Sequence, residues 1–518
     1  MQELYRLLNF VYLLQGEISV RLDSPAFDLI KIQDFPKNLE AVSAALTVPG
    51  CGEAMDEAAL VILANVVLEQ SFKLPLAFFI NSPRKNEEIT IIGAGILGLV
   101  SALFRPNKET EFDQNQISCR GTTLDGCDAR HASITETRPH AVFYRIDSLR
   151  KYPLDHGGWR IVQDQFNNQE QVSVDRFSEL AGYPELVVNL INKFVANLNR
   201  RGIELWEDIF NTYPHIIQDT IKNHRIIRVC SSSTLLNVVS SFQSKYNKNE
   251  DNLQILSRSQ VLEKITGLKL QDGDAGGVEV PGFTINHLRL CQNIIEYLEK
   301  NPNVNFKWST KVLSISNISS SKIIFASSLN RLDTPLLDNV LLAVQGVLGC
   351  WIKLPNVHSI KNGFKIAEKE PIGVINVTPS YDEQYLYVSG AFAFCGQRGV
   401  IKSNYLNQLI ELFYPTISSY LPDAIDANES ESLLIRFCIR PMTPDGMPII
   451  AQLTSENKKQ QIYFVGGTNA GGFVKSPVLS TMLLDLIQGS TNDKNLCHIY
   501  RSLRLDRNTL LFNLSPSN

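Results

Sequence analysis

The chain of 518 residues is 44% apolar and 20% charged, with a formal net charge of −4; that is the composition of a globular enzyme with room for two or three domains. No basic excess suits nucleic acid, and no acidic block forms a tail. Nine cysteines are scattered without a CxxC pair, which argues against a disulfide frame or a zinc site and for the reduced thiols of a cytoplasmic protein.

Residues 1–88 read as a mainly helical extension, with Leu4, Leu7, Leu8, Val11 and Leu14 near helical spacing. The start lacks a cationic stretch and a cleavage site. Residues 58–68 are the most apolar run, but Glu69, Lys73 and Pro75 follow, so the run is too short to span a bilayer and reads as a buried helix. The expected role of the extension is packing or contact with a protein or a membrane surface. Residues 81–88 form a polar linker.

Thr90, Ile91 and Ile92 then form a buried strand that ends in Gly93-Ala94-Gly95-Ile96-Leu97-Gly98, followed by a helical pattern to Phe104. Gly93 allows a tight turn, Gly95 lets the backbone approach a pyrophosphate, and Gly98 lets the helix pack on the sheet. The free N–H groups and positive dipole end of that helix suit phosphates. This is the pattern of a dinucleotide-binding strand–turn–helix. A second strand is predicted at 117–124, ending at Asp125, an acid placed for the ribose hydroxyls, with Asp128 as its rival. In the polar stretch 130–141, His131 and His140 read as solvated or capping residues, and no set of metal ligands accompanies them.

Further on, a helix is predicted over 184–198 with Gly202 as its stop, a strand over 224–229 and a helix over 233–242. A turn at 271–277 leads through Pro281 and Gly282 to a helix at 285–298. Residues 304–308, 312–315 and 322–325 read as strands of a meander, and 338–346 as an apolar strand of the parallel sheet. Residues 385–390 alternate as in an antiparallel sheet, with a helix at 403–412 and a strand at 433–439. Finally, Arg440-Pro-Met-Thr-Pro-Asp-Gly446 precedes a turn containing Gly466, Gly467, Gly471 and Gly472, and a helix to about 487. The glycines offer a second set of backbone N–H groups to an electron-rich ligand.

These segments, in this order, resemble the flavin-dependent oxidoreductases of the D-amino-acid oxidase type, which include D-amino-acid dehydrogenase, glycine oxidase and sarcosine oxidase. The resemblance implies an α/β and α+β architecture: a discontinuous Rossmann-type FAD-binding domain (89–150, 281–350 and 432–490) and a mixed-sheet substrate domain (151–280 and 351–431). The N-terminal extension and a tail at 491–518 lie outside it. It implies FAD as cofactor, a small amine or amino acid as substrate, and oxygen or a quinone as electron acceptor. Gly93, Ala94, Gly95, Ile96, Gly98, Asp125 and Ser133 would contact the cofactor, as would Gly467, Asn469, Gly471, Gly472 and Phe473 of the second turn. Arg440 and Arg138 would serve the substrate or the flavin, with Tyr387 as a pocket aromatic. Sarcosine-type members place Lys directly after the Gly-Phe of the last turn, where this chain has Val474 and then Lys475; one helical step turns the ammonium by about 100°. The alternatives are a nicotinamide dehydrogenase built on the same turn, or a flavoprotein fold kept as a catalytically silent binding module.

Overall fold

The computed structural model describes residues 88–104, 110–114, 130–133, 159–161, 174, 177, 185–222, 225–231, 254–308, 312, 314–326, 343–369, 373–395, 403–428, 434–444, 446–453 and 460–488, together with strands β1 (Ser19–Arg21) and β2 (Asp28–Ile30). β1 and β2 pair antiparallel, so the extension read as mainly helical contains a strand pair; its remaining residues lie outside those described. The chain continues through β3 (Ile89–Ile92), α1 (Ile96–Leu103), β4 (Thr110–Gln114), β5 (Arg130–Ser133), β6 (Trp159–Ile161) and α2 (Glu185–Thr212). Then come β7 (Ile221–Lys222), β8 (Arg225–Ser231), β9 (Gln254–Ser257), α3 (Arg258–Lys264), β10 (Asp274–Ile285), α4 (His287–Glu299), β11 (Asn305–Trp308) and β12 (Lys322–Phe325). The last part holds β13 (Gln345–Pro355), β14 (Phe364–Lys369), β15 (Gly373–Pro379), β16 (Tyr385–Phe394), α5 (Ser403–Tyr420), α6 (Pro422–Asp426), β17 (Leu434–Met442), β18 (Ile449–Leu453), β19 (Gln461–Gly466) and α7 (Gly472–Gln488).

Six strands form one sheet in the order β11-β4-β3-β12-β19-β18, parallel except for β18 at the edge. Counting its parallel strands along the chain gives the spatial order 3-2-1-4-5, the doubly wound nucleotide-binding arrangement. Alternation fills both faces. Ile89, Ile91 and Val465 pack with residues of α1, α2, α4 and α7, while Ile92, Phe325 and Phe464 meet Val344 and Ile449 on the other side. Ser101 of α1 and Ser480 of α7, both fully buried, share a 2.9 Å hydrogen bond, so the two helices approach with small side chains between them.

The other eleven strands form a mixed sheet with the path β17-β13-β16-β15-β14-β8-β10-β5. One face is covered by α3, α5 and α6, with Val261, Ile417 and Ile425 packed on Ile227, Phe364 and Val388.

Several elements differ from the sequence reading. The parallel strand beside β3 is β4, whose polar Thr-Glu-Phe-Asp-Gln sequence does not read as a strand, yet its backbone pairs with β3 and β11; the strand read at 117–124 lies outside the described residues. Gly202 does not stop α2, which runs ten residues further; a Cβ at Gly202 would overlap the Val474 carbonyl oxygen, so the glycine marks a helix crossing. Residues 274–285 form one long strand instead of a turn and a helix start, because β8 and β9 pair with both of its edges. β11 and β12 lie on opposite sides of β3 rather than in a meander, and 315–317 is a 3-10 turn. β13 and β17 belong to the mixed sheet, so the two sheets interleave along the chain more finely than the predicted boundaries have it. The helix read at 233–242 lies outside the described residues.

Candidate cofactor and substrate site

β3 leads directly into Gly93, whose φ of +111° is disfavoured for a side chain. Gly95 caps α1 from an extended conformation, with no side-chain cap and no acid in the first turn; the first helical N–H groups therefore face the space beyond the strand ends. Ala94 is buried, Ile96 packs on the core, and a Cβ on Gly98 would overlap the Gly93 carbonyl oxygen. The turn stands between β3 and β12, where the strand order reverses and α/β sheets bind their ligands.

The second glycine turn follows β19. Gly467 and Asn469 have φ of +60° and +56°. The Asn469 Oδ1 accepts from the Thr443 backbone N–H at 3.0 Å, and its Nδ2 donates to Thr443 Oγ1 at 3.0 Å and to the Gly467 carbonyl at 2.7 Å. Its side chain therefore clamps the segment after Arg440 to the turn, and sets the shape of the turn from within. Gly472 opens α7. Phe473 stacks on Trp206, with ring centroids 4.6 Å apart and planes 4° apart, and its carbonyl accepts from the indole N–H at 2.9 Å. Lys475 is buried; its Nζ donates to the Thr468 carbonyl at 3.2 Å and lies under Gly471, where a Cβ would overlap it. Burial pulls its pKa down to about 7.

Rows across the mixed sheet alternate in chemistry. Ile227, Phe364, Val377, Val388 and Ile352 pair side by side and fill the helix-covered core. One residue along, Arg228, Lys365, Asn376, Ser389, Trp351 and Arg436 form the next row, which the two-residue period turns to the opposite face. Arg440 lies on that same face, paired with Val347, and its guanidinium rests over Gly349. Gln345 shares the face at the start of β13, next to Val344, whose side chain lies against Gly467 of the second turn. It is fully buried, and neither atom of its amide has a hydrogen-bond partner.

The profile of the family described as FAD dependent oxidoreductase (DAO) matches residues 88–486. This chain belongs to that family. Among solved structures, the oxidoreductase is similar to the fructosyl amine:oxygen oxidoreductase Amadoriase I from Aspergillus fumigatus, with a TM-score of 0.53 and 12% identity over 82% of this chain and 91% of that one. It is also similar to glycine oxidase from Geobacillus kaustophilus, with a TM-score of 0.50 and 13% identity over 78% of this chain and 95% of that one. L-proline dehydrogenase from P. horikoshii gives 0.50 and 13% over 82% and 99%. At these identities the shared property is the fold. No curated protein matches the sequence significantly.

FAD is thus the dinucleotide of this enzyme, and the nicotinamide alternative is set aside. The residues present fit it: an uncapped helix start behind a glycine turn, and an orphaned buried amide at Gln345. Of the residues read from the sequence, the structure places Gly93, Ala94, Gly95, Ile96 and Gly98 in the first turn and Gly467, Asn469, Gly471, Gly472 and Phe473 in or beside the second. Ser133 ends β5 opposite Gly282. Tyr387 is buried edge-on to Trp351 at 5.2 Å. It pairs with Lys353, not Val347, about 20 Å along β13 from the residue that pairs with Arg440, so the two are not brought together. Asp125, Asp128, Arg138 and His140 lie outside the described residues. His131, read as solvated, has both ring nitrogens buried, because β5 packs against β10. The sequence reading missed Trp206, Gln345, Arg228 and Lys365. The last two had a signal, a single cation between apolar residues in Ile-Arg-Val and Phe-Lys-Ile. Among the described residues, no helix is long and apolar enough to cross a membrane.

Proposed function

We propose that the oxidoreductase oxidises the C–N bond of an amino acid, or of a secondary amine that carries a carboxylate, to an imine that water then hydrolyses. Bound FAD supplies the hydride acceptor, its N5. The chain's own part is orientation: the Arg440 fork matches a carboxylate with two parallel hydrogen bonds, and so fixes the α-carbon relative to the glycine turns. The observation that carries this reading is the guanidinium lying over Gly349 on the face of the sheet opposite α3, α5 and α6, with the Asn469–Thr443 clamp joining the end of its strand to the second turn. The amine substrates in the printed names of the similar structures, glycine, proline and fructosyl amines, support the same substrate class. An anaerobic visible spectrum taken while amino acids and simple amines are added tests it: bleaching of the flavin band by amino acids is the expected result. Readmitting oxygen or a quinone then identifies the acceptor by which one restores the band. Arg440→Ala should raise KM for carboxylate substrates by roughly 10- to 100-fold, far more than for amines without a carboxylate. An equal loss for both would assign Arg440 to packing.

A further inference from the structure

Gln345 is 0% exposed, and neither its Nε2 nor its Oε1 has a hydrogen-bond partner. A buried amide in that state is destabilising until a group both accepts from its nitrogen and donates to its oxygen. Its neighbours locate it. Val344, one place before, has its side chain against Gly467 of the second turn, 3.5 Å from where a Cβ would stand. Val344 also packs in one cluster with Ile92 and Phe325, the last residues of β3 and β12, the two strands between which the strand order reverses. Across the sheet, Gln345 pairs with Met442, next to the Thr443 whose backbone N–H donates to Asn469. Gln345 therefore opens β13 at the carboxyl ends of the parallel strands, on the β19 side of the switch point. A dinucleotide bound at such a point sends its adenosine ribose to the strand that follows the glycine turn, here β4, on the other side of β3. That leaves the flavin half for the side on which Gln345 stands.

We propose that the Gln345 amide pairs with the pyrimidine edge of the isoalloxazine, its oxygen accepting from the flavin N3–H and its nitrogen donating to an adjacent ring carbonyl. The chemistry selects this edge. The pyrophosphate only accepts, and a ribityl hydroxyl meets one atom of an amide at a time, whereas the ring N–H and its flanking carbonyl set a donor and an acceptor side by side in a plane, as the amide does. Gln345 is thus a positioning residue for the redox ring, distinct from the glycines that admit the phosphates. The assignment rests on FAD as the cofactor and not on the amine oxidation proposed above, because its test reads binding and needs no substrate.

The flavin-free full chain is titrated calorimetrically with FAD, with N3-methyl-FAD, whose N3 carries a methyl in place of the proton, and with ADP. The same titrations are made on Gln345→Met, which keeps the length of the side chain without its amide. In the natural protein the methyl should weaken binding by roughly 10- to 100-fold relative to FAD. In Gln345→Met that ratio should fall to within about threefold, while ADP binds both proteins alike. A ratio near one in the natural protein, or a ratio that survives the substitution, overturns the pairing and assigns the amide to a buried water. ADP weakened by Gln345→Met as much as FAD is would move the contact to the adenosine half, which also overturns it. Gln345→Glu, an isostere that keeps the acceptor, is the second variant: it should retain the N3-methyl ratio, and loss of the ratio there counts against the pairing even if Gln345→Met does not fold.

Discussion

Gly98 shows how one missing methyl shapes the cofactor turn. Its Cα faces the Gly93 carbonyl so closely that Gly98→Ala must push the turn or the helix aside, a strain of about 1–3 kcal/mol. A lower melting temperature and a reduced flavin-to-protein ratio after purification are the expected results. His131 makes a second prediction at this scale. Burial, with Lys365 and Arg228 nearby, lowers its pKa from 6.5 to about 3. The unfolded chain therefore takes up a proton below pH 6.5 that the folded state refuses, and stability falls as pH drops from 6.5 towards 3. His131→Gln should flatten that part of the stability–pH curve, measured by denaturant melts at successive pH values. The glycines of both turns were legible in the sequence because backbone geometry restricts them to a few residue types. His131 and Lys365 were not, because their burial comes from strands distant in sequence: β10 for the first, β8 and β15 for the second.

The second turn and α2 act as elements. Asn469 makes three hydrogen bonds that join the turn to Thr443 and Gly467. Asn469→Ala should cost about 1–3 kcal/mol and weaken flavin retention while leaving the far-ultraviolet circular dichroism intact; retention equal to that of the natural protein would assign the turn's shape to its glycines alone. α2 crosses α7 at Gly202 and stacks Trp206 on Phe473. In the sequence, Gly202 reads as a stop because glycine is poor in a helix interior; the crossing, a tertiary fact, overrides that propensity. The same holds for β4, whose polar sequence gains strand structure from neighbours on both sides.

For the whole molecule, the fold family was legible and the strand order was not. The parallel sheet draws β3 and β4 from before the mixed sheet, β11 and β12 from its middle, and β18 and β19 from after it. The two glycine turns come from opposite ends of this stretch of chain, and we propose that bound FAD joins them. Saturating FAD at about 100 times Kd should stabilise the flavin-free protein by about 2.7 kcal/mol, read as a concentration-dependent rise in melting temperature; a rise that stops at substoichiometric FAD would show that only a fraction of the chains is competent to bind.

The place of β19 has a consequence for the order of events during synthesis. Glycine 93 leaves the ribosome early, but β12 has one neighbour in β3 and the other in β19, and α7, which packs against α1 through Ser480, follows β19. Nascent chains halted anywhere before residue 461 lack one wall of the nucleotide crevice. In them the edge of β12 that pairs with β19 stays open to mispairing, and we expect cofactor capture only after α7 is made.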